Sequence, residues 1–294
     1  MIIVRLNGGL GNQLFQYAAG RRLSIFHRTP IKLDIRTFDH HKLRHYSLAA
    51  FKIEEVFATP AEIAEAQGVS FFGKPSGSIL RLIRRLKGRR HWSVVGEAYL
   101  GPYNPGILNT TKDVYLDGYW QNEKYFKDIE DVIRREFAVR NESSSESERT
   151  ASQILNTDSV SIHVRRADYV SDPATHETHG VCELEYYQKC VDLIEERLAH
   201  PSFFVFSDDL TWCRENLRFH HSTTFVTSQS ATGAHEDLRL MSLCKHNIIA
   251  NSSFSWWAAW LNANKDKMIL APRRWLKDMR YDTRDIIPEN WIKV

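Results

Sequence analysis

The chain has 294 residues, 43% of them apolar and 26% charged, with a formal net charge of +3. That length favours two domains over a single core, the composition excludes a disordered chain, and so small a charge gives no ground for nucleic acid or a membrane surface as partner. Cys182, Cys190, Cys213 and Cys244 stand without any C-x-x-C pair, which argues against a zinc ribbon or a disulfide framework and for a reducing compartment. No apolar run approaches the roughly 20 residues needed to span a bilayer, and Met1 leads straight into a strand pattern, so a cytoplasmic protein is expected.

The first elements read as half of a β-α-β unit. Ile2 to Leu6 form a strand pattern, and Phe15, Ala19, Leu23 and Phe26 recur at helical spacing. Between them lie Gly8, Gly9 and Gly11. A dinucleotide fingerprint fails there because Leu14 stands at the third glycine position, and a P-loop fails because Asn12 and Gln13 replace G-K-[ST]. Two readings stay open: a tight corner exposing amides beside two side-chain amides, or a plain strand-to-helix turn. "PIKLDI" is the next strand, and "TPAEIAEAQ" opens a helix with Thr59 as N-cap, Pro60 in the first turn and Glu62 completing a capping box. "RLIRRLKGRRHW" at 81–92 is basic; a solvated face is its expected fate, with an anionic lipid surface or lipid-linked glycan as the alternative. "DVYLDGYW" is a strand ending and "EKYFKDIEDVIRREF" a helix. The polar "NESSSESER" at 141–149 reads as a linker, dividing the chain into domains 1–150 and 151–294.

Beyond it the alternation restarts with "SVSIHV", "EYYQKCVDLIEERL", "FFVFSDD", a short helix near Trp212, "TTFVT", "EDLRLMSLC", "NIIAN", "SFSWWAAWLN" and "KMILAP". Short apolar strands alternating with helices predict a parallel sheet covered on both faces, so the fold class is α/β with a doubly wound domain in each half. In such sheets ligands bind at the carboxyl ends of the strands. "HVRRADY" emerges there, and Arg165, Arg166 and Asp168 form either an anion clamp or a structural Arg-Asp pair. Ser252 and Ser253 begin a helix whose free amides favour a phosphate, or serve as caps alone. Trp256, Ala259 and Trp260 fit core packing better than a sugar platform. Asp208 and Asp209 read as caps, and Asp237 as a carboxylate on the ligand side. A D-x-D pair is absent, so no metal site is expected and leaving-group charge falls to arginine and helix-end amides.

"GGLGNQLFQYA", "DGYWQNEKYF", "HVRRADY" and "NSSFSWWAAWLN" together resemble the bacterial and animal α-1,2-fucosyltransferases of glycosyltransferase family 11, over essentially the whole chain. The resemblance implies a GT-B-like architecture of two facing Rossmann-like domains, an N-terminal acceptor side and a C-terminal GDP-fucose side. It implies inverting, metal-independent transfer of L-fucose to the 2-hydroxyl of a terminal β-galactoside, with no cofactor. By the same resemblance, Arg165 binds the diphosphate, His163 lies against the nucleotide, and Ser252, Ser253 and Phe254 hold phosphate. Asp237 looks like the carboxylate that pairs with guanine, and Asn12 and Gln13 look like the loop facing donor sugar and acceptor. Asp168 ranks first as catalytic base, ahead of Asp172, Glu177 and Asp117. The implied partners are GDP-fucose and a galactoside glycan, with a lipid-linked oligosaccharide at the inner membrane as the expected bacterial setting. A GDP-sugar-binding protein without transferase activity, a different linkage or acceptor, protein O-fucosylation and hydrolysis are the alternatives.

Overall fold

The computed structural model describes residues 1–39, 44–68, 91–97, 102–140, 143–166, 169–170, 172–227 and 233–294. Asp168 and the basic residues of 81–90 lie outside them. Two compact units divide the chain: Met1–Ala49 with Ile53–Glu136, and Ala50–Lys52 with Phe137–Val294. The division thus follows Glu136 instead of the expected 150/151.

The first unit holds a four-stranded parallel sheet, ordered β2-β1-β4-β3, from β1 (Ile2–Arg5), β2 (Ile31–Asp34), β3 (Ser93–Gly96) and β4 (Val114–Asp117). Helix α1 (Leu10–His27) packs on it with twelve of its eighteen residues buried, among them Leu14, Phe15, Tyr17 and Leu23. Tyr17 donates to Glu136, which also takes Arg21 at 2.8 Å, so the helix is pinned by a half-buried polar cluster as well as by its apolar face. Helix α2 (Pro60–Ala66) starts as the sequence indicated: Thr59 and Glu62 exchange both capping-box hydrogen bonds and Pro60 sits in the first turn. The expected helix over 123–137 is shorter than its pattern. Two 3-10 turns, Glu123–Tyr125 and Lys127–Ile129, precede α3 (Glu130–Glu136), with Asn122 capping the first through the Lys124 amide.

The second unit holds a six-stranded parallel sheet, ordered β10-β9-β8-β5-β6-β7. Its strands are β5 (Asp158–Val164), β6 (Pro201–Ser207), β7 (Thr223–Phe225), β8 (His246–Ile248), β9 (Ile269–Ala271) and β10 (Ile292–Lys293). Helices α4 (Ser145–Leu155), α5 (Pro173–His179), α6 (Leu184–Glu195), α7 (Leu210–Asn216), α8 (Ala234–Leu243) and α9 (Ser253–Leu261) connect and cover them. Val160, Ile162, Val164, Tyr187, Val191, Phe203, Val205 and Ile248 form the core on one face. Trp256, Ala259 and Trp260 are buried, as their spacing indicated.

From Ser145 onward the serine-rich segment expected to be a linker forms the first turns of helix α4. Ser144 caps it through the Ser147 amide, acidic Glu146 and Glu148 sit in its first turn, and only Ala151 and Ile154 are buried. Two apolar anchors on one face are enough once the cap and the dipole are satisfied. The four cysteines are all buried and unpaired, and no helix among the described residues is long and apolar enough to cross a membrane.

Helix α1 approaches the sheet closely at Gly20, where a Cβ would lie 2.1 Å from Val4 Cγ2 and 3.3 Å from Ile31 Cδ1. Gly20→Ala gains the better helix former, worth about 1 kcal/mol. Against that, overpacking costs about 1–3 kcal/mol. The variant is expected to unfold at lower urea concentration than the native chain; an unchanged or raised midpoint would show that α1 can shift off β1.

Candidate functional site

From the first strand outward, the larger sheet runs 3-2-1-4-5-6, the order of dinucleotide-binding sheets, so winding reverses between β5 and β8. Both motifs that the sequence offers as anion sites leave the sheet at this reversal. Arg165 and Arg166 follow β5, and 249–252 lead from β8 into α9.

At the end of β5, Arg165 Nη1 meets Asp208 Oδ2 at 2.8 Å, and its guanidinium stands 5.6 Å from the Tyr169 ring centroid. Asp208 Oδ1 also accepts the Arg166 amide at 2.9 Å. One carboxylate thus fixes the side chain of the first arginine and the backbone of the second. The guanidinium it orients is a planar fork matched to phosphate oxygens. Arg166 turns the other way, stacking 4.0 Å over Trp212 with its Nε 3.5 Å from Asp209. Asp209 caps α7 through the Trp212 amide, as expected of it. Asp208, also expected to be a cap, is instead the partner of Arg165. No spacing rule reveals that, because β6 brings Asp208 beside β5 only in the folded sheet.

His163 is buried inside β5, its ring 5.4 Å from that of Phe254 in the first turn of α9, and its Nδ1 has no hydrogen-bond partner. Burial, with the Arg165 charge nearby, pushes its imidazole down to about 3 from 6.5. It is therefore neutral at physiological pH and leaves one unsatisfied nitrogen at the reversal point. After β8, the Ser252 amide bonds back to Ala250 O at 2.8 Å and Ser252 occupies the N-cap of α9 without a side-chain cap bond. Its hydroxyl is not spent on the helix. The first-turn amides of any α-helix lack intrahelical acceptors and carry the positive end of its dipole, which suits a phosphate. Asn251 steadies this turn through hydrogen bonds from Nδ2 to His179 O, Gly180 O and Trp275 O at 3.0, 3.4 and 3.2 Å. Asp237 lies half-buried in the first turn of α8, and the loop 228–232 before it lies outside the described residues. Among the described residues no His, Cys, Asp and Glu cluster with metal-binding geometry occurs.

In the smaller sheet β1 and β4 are direct neighbours, and the glycine loop and the "DGYWQN" turn leave their adjacent ends. Arg5 and Asp117 form an ion pair at 2.9 Å across the two strand ends. Gly8 takes φ +74°, a left-handed corner that glycine adopts without strain. Asn12 Oδ1 accepts Gln121 Nε2 at 2.9 Å, and Gln16 bridges the two loops by accepting the Asn7 amide and donating to Gly118 O. Gln13 departs from the expectation that it faces a ligand. It is fully buried, its Nε2 donates to Gly8 O and His45 O, and its Oε1 accepts the Ser47 amide. An amide whose groups are spent on backbone staples the loop and has nothing left for a substrate. Asp172, ranked among the bases, likewise caps α5 through the Ala174 and Thr175 amides.

A parallel six-stranded sheet in this order, with an arginine-bearing strand end and a helix start at its winding reversal, is the architecture of doubly wound α/β proteins. Residues 106–294 match the family described as glycosyl transferase family 11. Across its full length the chain is 32% identical to an alpha-1,2-colitosyltransferase of Escherichia coli, covering 99% of that protein. It is 30% identical, over 53% of its own length and 45% of the other, to galactoside alpha-(1,2)-fucosyltransferase 1 of Bos taurus. The crystal structure of NodZ alpha-1,6-fucosyltransferase soaked with GDP-fucose shares the fold at TM-score 0.50 and 17% identity, over 88% of this chain and 91% of that one. The chain belongs to glycosyl transferase family 11 and is a glycosyltransferase of the GT-B-like α/β class.

The neutral, buried His163 has a thermodynamic signature. Its pKa is lower folded than unfolded, so the unfolded chain takes up the proton first as pH falls below 6.5. The stability this neutral group contributes is present above that pH and is lost toward the folded value, with a slope of about 1.4 kcal/mol per pH unit for one proton. Between pH 6.5 and 4, urea unfolding of the native chain should therefore weaken more steeply than that of His163→Gln; parallel pH dependences would contradict the burial argument.

Proposed function

We propose that the chain transfers L-fucose from GDP-fucose to the 2-hydroxyl of a terminal β-galactoside, with inversion and without a metal. The carrying observation is the convergence of Arg165 and the start of α9 at one winding reversal, in a chain of a family whose relatives include a galactoside α-1,2-fucosyltransferase. In this reading Arg165 and the Ser253 and Phe254 amides take the diphosphate, the Ser252 hydroxyl and His163 Nδ1 add polar contacts, and Asp237 recognises guanine. The acceptor oxygen attacks the anomeric carbon as the bond to the diphosphate breaks, through an oxocarbenium-like state. Negative charge grows on the departing phosphate, so Arg165 acts more on turnover than on donor binding. Asp168 is assigned the hydroxyl proton. Asn12 is assigned to the fucose and acceptor, and Asp117 to the acceptor side. A lipid-linked glycan at the inner membrane is the proposed setting, with the cytoplasm as compartment. The full-length match to a colitosyltransferase favours one second reading, in which the donor sugar is a 3-deoxy relative of fucose.

The test is to incubate the full chain with GDP-fucose or GDP-colitose, offer lactose, N-acetyllactosamine or water with and without EDTA, and read products by mass spectrometry. One fucosyl unit on the galactoside, insensitive to chelator, is expected; the colitosyl product alone selects the second reading. Arg165→Ala should lower kcat by on the order of 10²–10³, the usual loss for a charge-stabilising donor. Asn12→Ala should impair transfer while GDP affinity stays unchanged. No glycosylated acceptor with either donor would refute the proposal and leave a GDP-sugar-binding protein or a hydrolase.

A further inference from the structure

Glu97 follows β3 directly and sits beside the turn that leaves β4. Its Oε2 accepts two successive backbone amides, Tyr119 at 2.9 Å and Trp120 at 2.6 Å, while the Tyr125 hydroxyl approaches Oε1 at 3.5 Å. The turn it grips is a strained one. Trp120 has φ +54°, the left-handed region that a bulky side chain avoids, yet its indole is buried edge-on against Tyr125. Gly118 permits the approach, since a Cβ there would lie 2.5 Å from Glu97 Cβ and 2.8 Å from the Trp120 ring. Such a conformation persists only where its surroundings hold it, and the paired amides on Glu97 are the holding contact. The next residue, Gln121, is the one whose side chain donates to Asn12.

We propose that Glu97 is a positioning residue for transfer: by taking the Tyr119 and Trp120 amides on one oxygen, it locks the 118–121 turn so that Gln121 orients the Asn12 side chain. The role rests on the reading of Asn12 as a residue of the transfer site.

The carboxyl is also set to respond to pH. Burial lifts it to about 7 in spite of the Trp120 and Tyr119 amides and the Tyr125 hydroxyl, which pull it down. Among the described residues, the titratable and charged groups near it are Tyr125, Tyr119, Tyr103 with its ring tilted 4.9 Å from that of Tyr125, Lys124 5.7 Å from the Tyr103 ring centroid, Arg44, whose charge reaches Tyr119, and Asp117 of β4 in its pair with Arg5. Among the described residues no cation pairs with Glu97. The ionised carboxylate holds amides more strongly than the protonated form. Transfer therefore rises with pH through about 7. The stability sign is opposite: with the folded pKa above the unfolded one, ionisation costs stability as pH rises from 4.5 to about 7.

Hydrogen exchange at the Tyr119 and Trp120 amides, GDP affinity and acceptor kinetics, compared among the native chain, Glu97→Ala and Glu97→Gln, test this directly. Glu97→Ala should speed exchange of the two amides by about tenfold or more. It should also lower kcat/KM for the acceptor while leaving GDP affinity unchanged. Glu97→Gln, which keeps an acceptor oxygen without the charge, should restore amide protection and transfer only in part, to the level of the native chain below pH 7, and should lose the limb near pH 7. Unchanged protection in Glu97→Ala would overturn the proposal, as would a limb near pH 7 that survives in Glu97→Gln. Exchange is read without turnover, so a native chain that transfers nothing would refute the proposed reaction and leave the contact at the turn to be judged on its own result.

Discussion

A parallel sheet whose winding reverses must send two adjacent strands into connections that leave in opposite directions, and the space between those connections is filled by neither. In the larger sheet this falls between β5 and β8, and the chain places there the groups best suited to negative charge: a guanidinium, an uncommitted serine hydroxyl and a helix start. The surrounding structure can be understood as support for that crevice. Asp208 orients Arg165, Asn251 ties the turn before α9 to three carbonyls, and Phe254 packs against His163. The smaller sheet differs: the neighbouring ends of β1 and β4 carry side-chain amides, a buried carboxylate and a strained indole, which tie the two loops to each other and to backbone.

The electrostatics at the phosphate side follow from which charges are paired. A free arginine in a crevice can rotate toward any anion; one held by Asp208 and lying near Tyr169 presents its fork in a fixed direction, and preorganised donors act without reorganising during reaction. The burial of His163 removes a second positive charge that would otherwise crowd the same strand end. The second arginine is drawn away to Trp212 and Asp209. Arg165 and the start of α9 therefore follow strands that are direct neighbours in the sheet.

What the residues revealed ahead of the structure was whatever is local. Apolar periodicity located β1, β2, β5, β6 and most of the helices, and the Thr59–Glu62 box predicted its own hydrogen bonds. The strand-end motifs followed from the rule that parallel sheets bind at their carboxyl edge. The failures were tertiary or marginal. Strand β3 is a four-residue edge with Val94 largely exposed, too short for its alternation to stand out. Helix α4 has two buried residues in eleven, so its composition looked like that of a linker. Gln13 and Asn12 are adjacent in sequence and chemically alike, yet one points into the loop's own backbone and the other toward Gln121. Asp208 and Glu97 gained their roles only when a neighbouring strand arrived beside them.

The central claim is that the diphosphate of the donor binds at the β5–β8 reversal. A crystal structure of the full chain with GDP tests it most directly. The account predicts phosphate oxygens within hydrogen-bond distance of the Arg165 guanidinium and of the Ser253 and Phe254 amides, with Asp208 still holding Arg165. GDP bound away from the start of α9, or Arg165 making no phosphate contact, would contradict it.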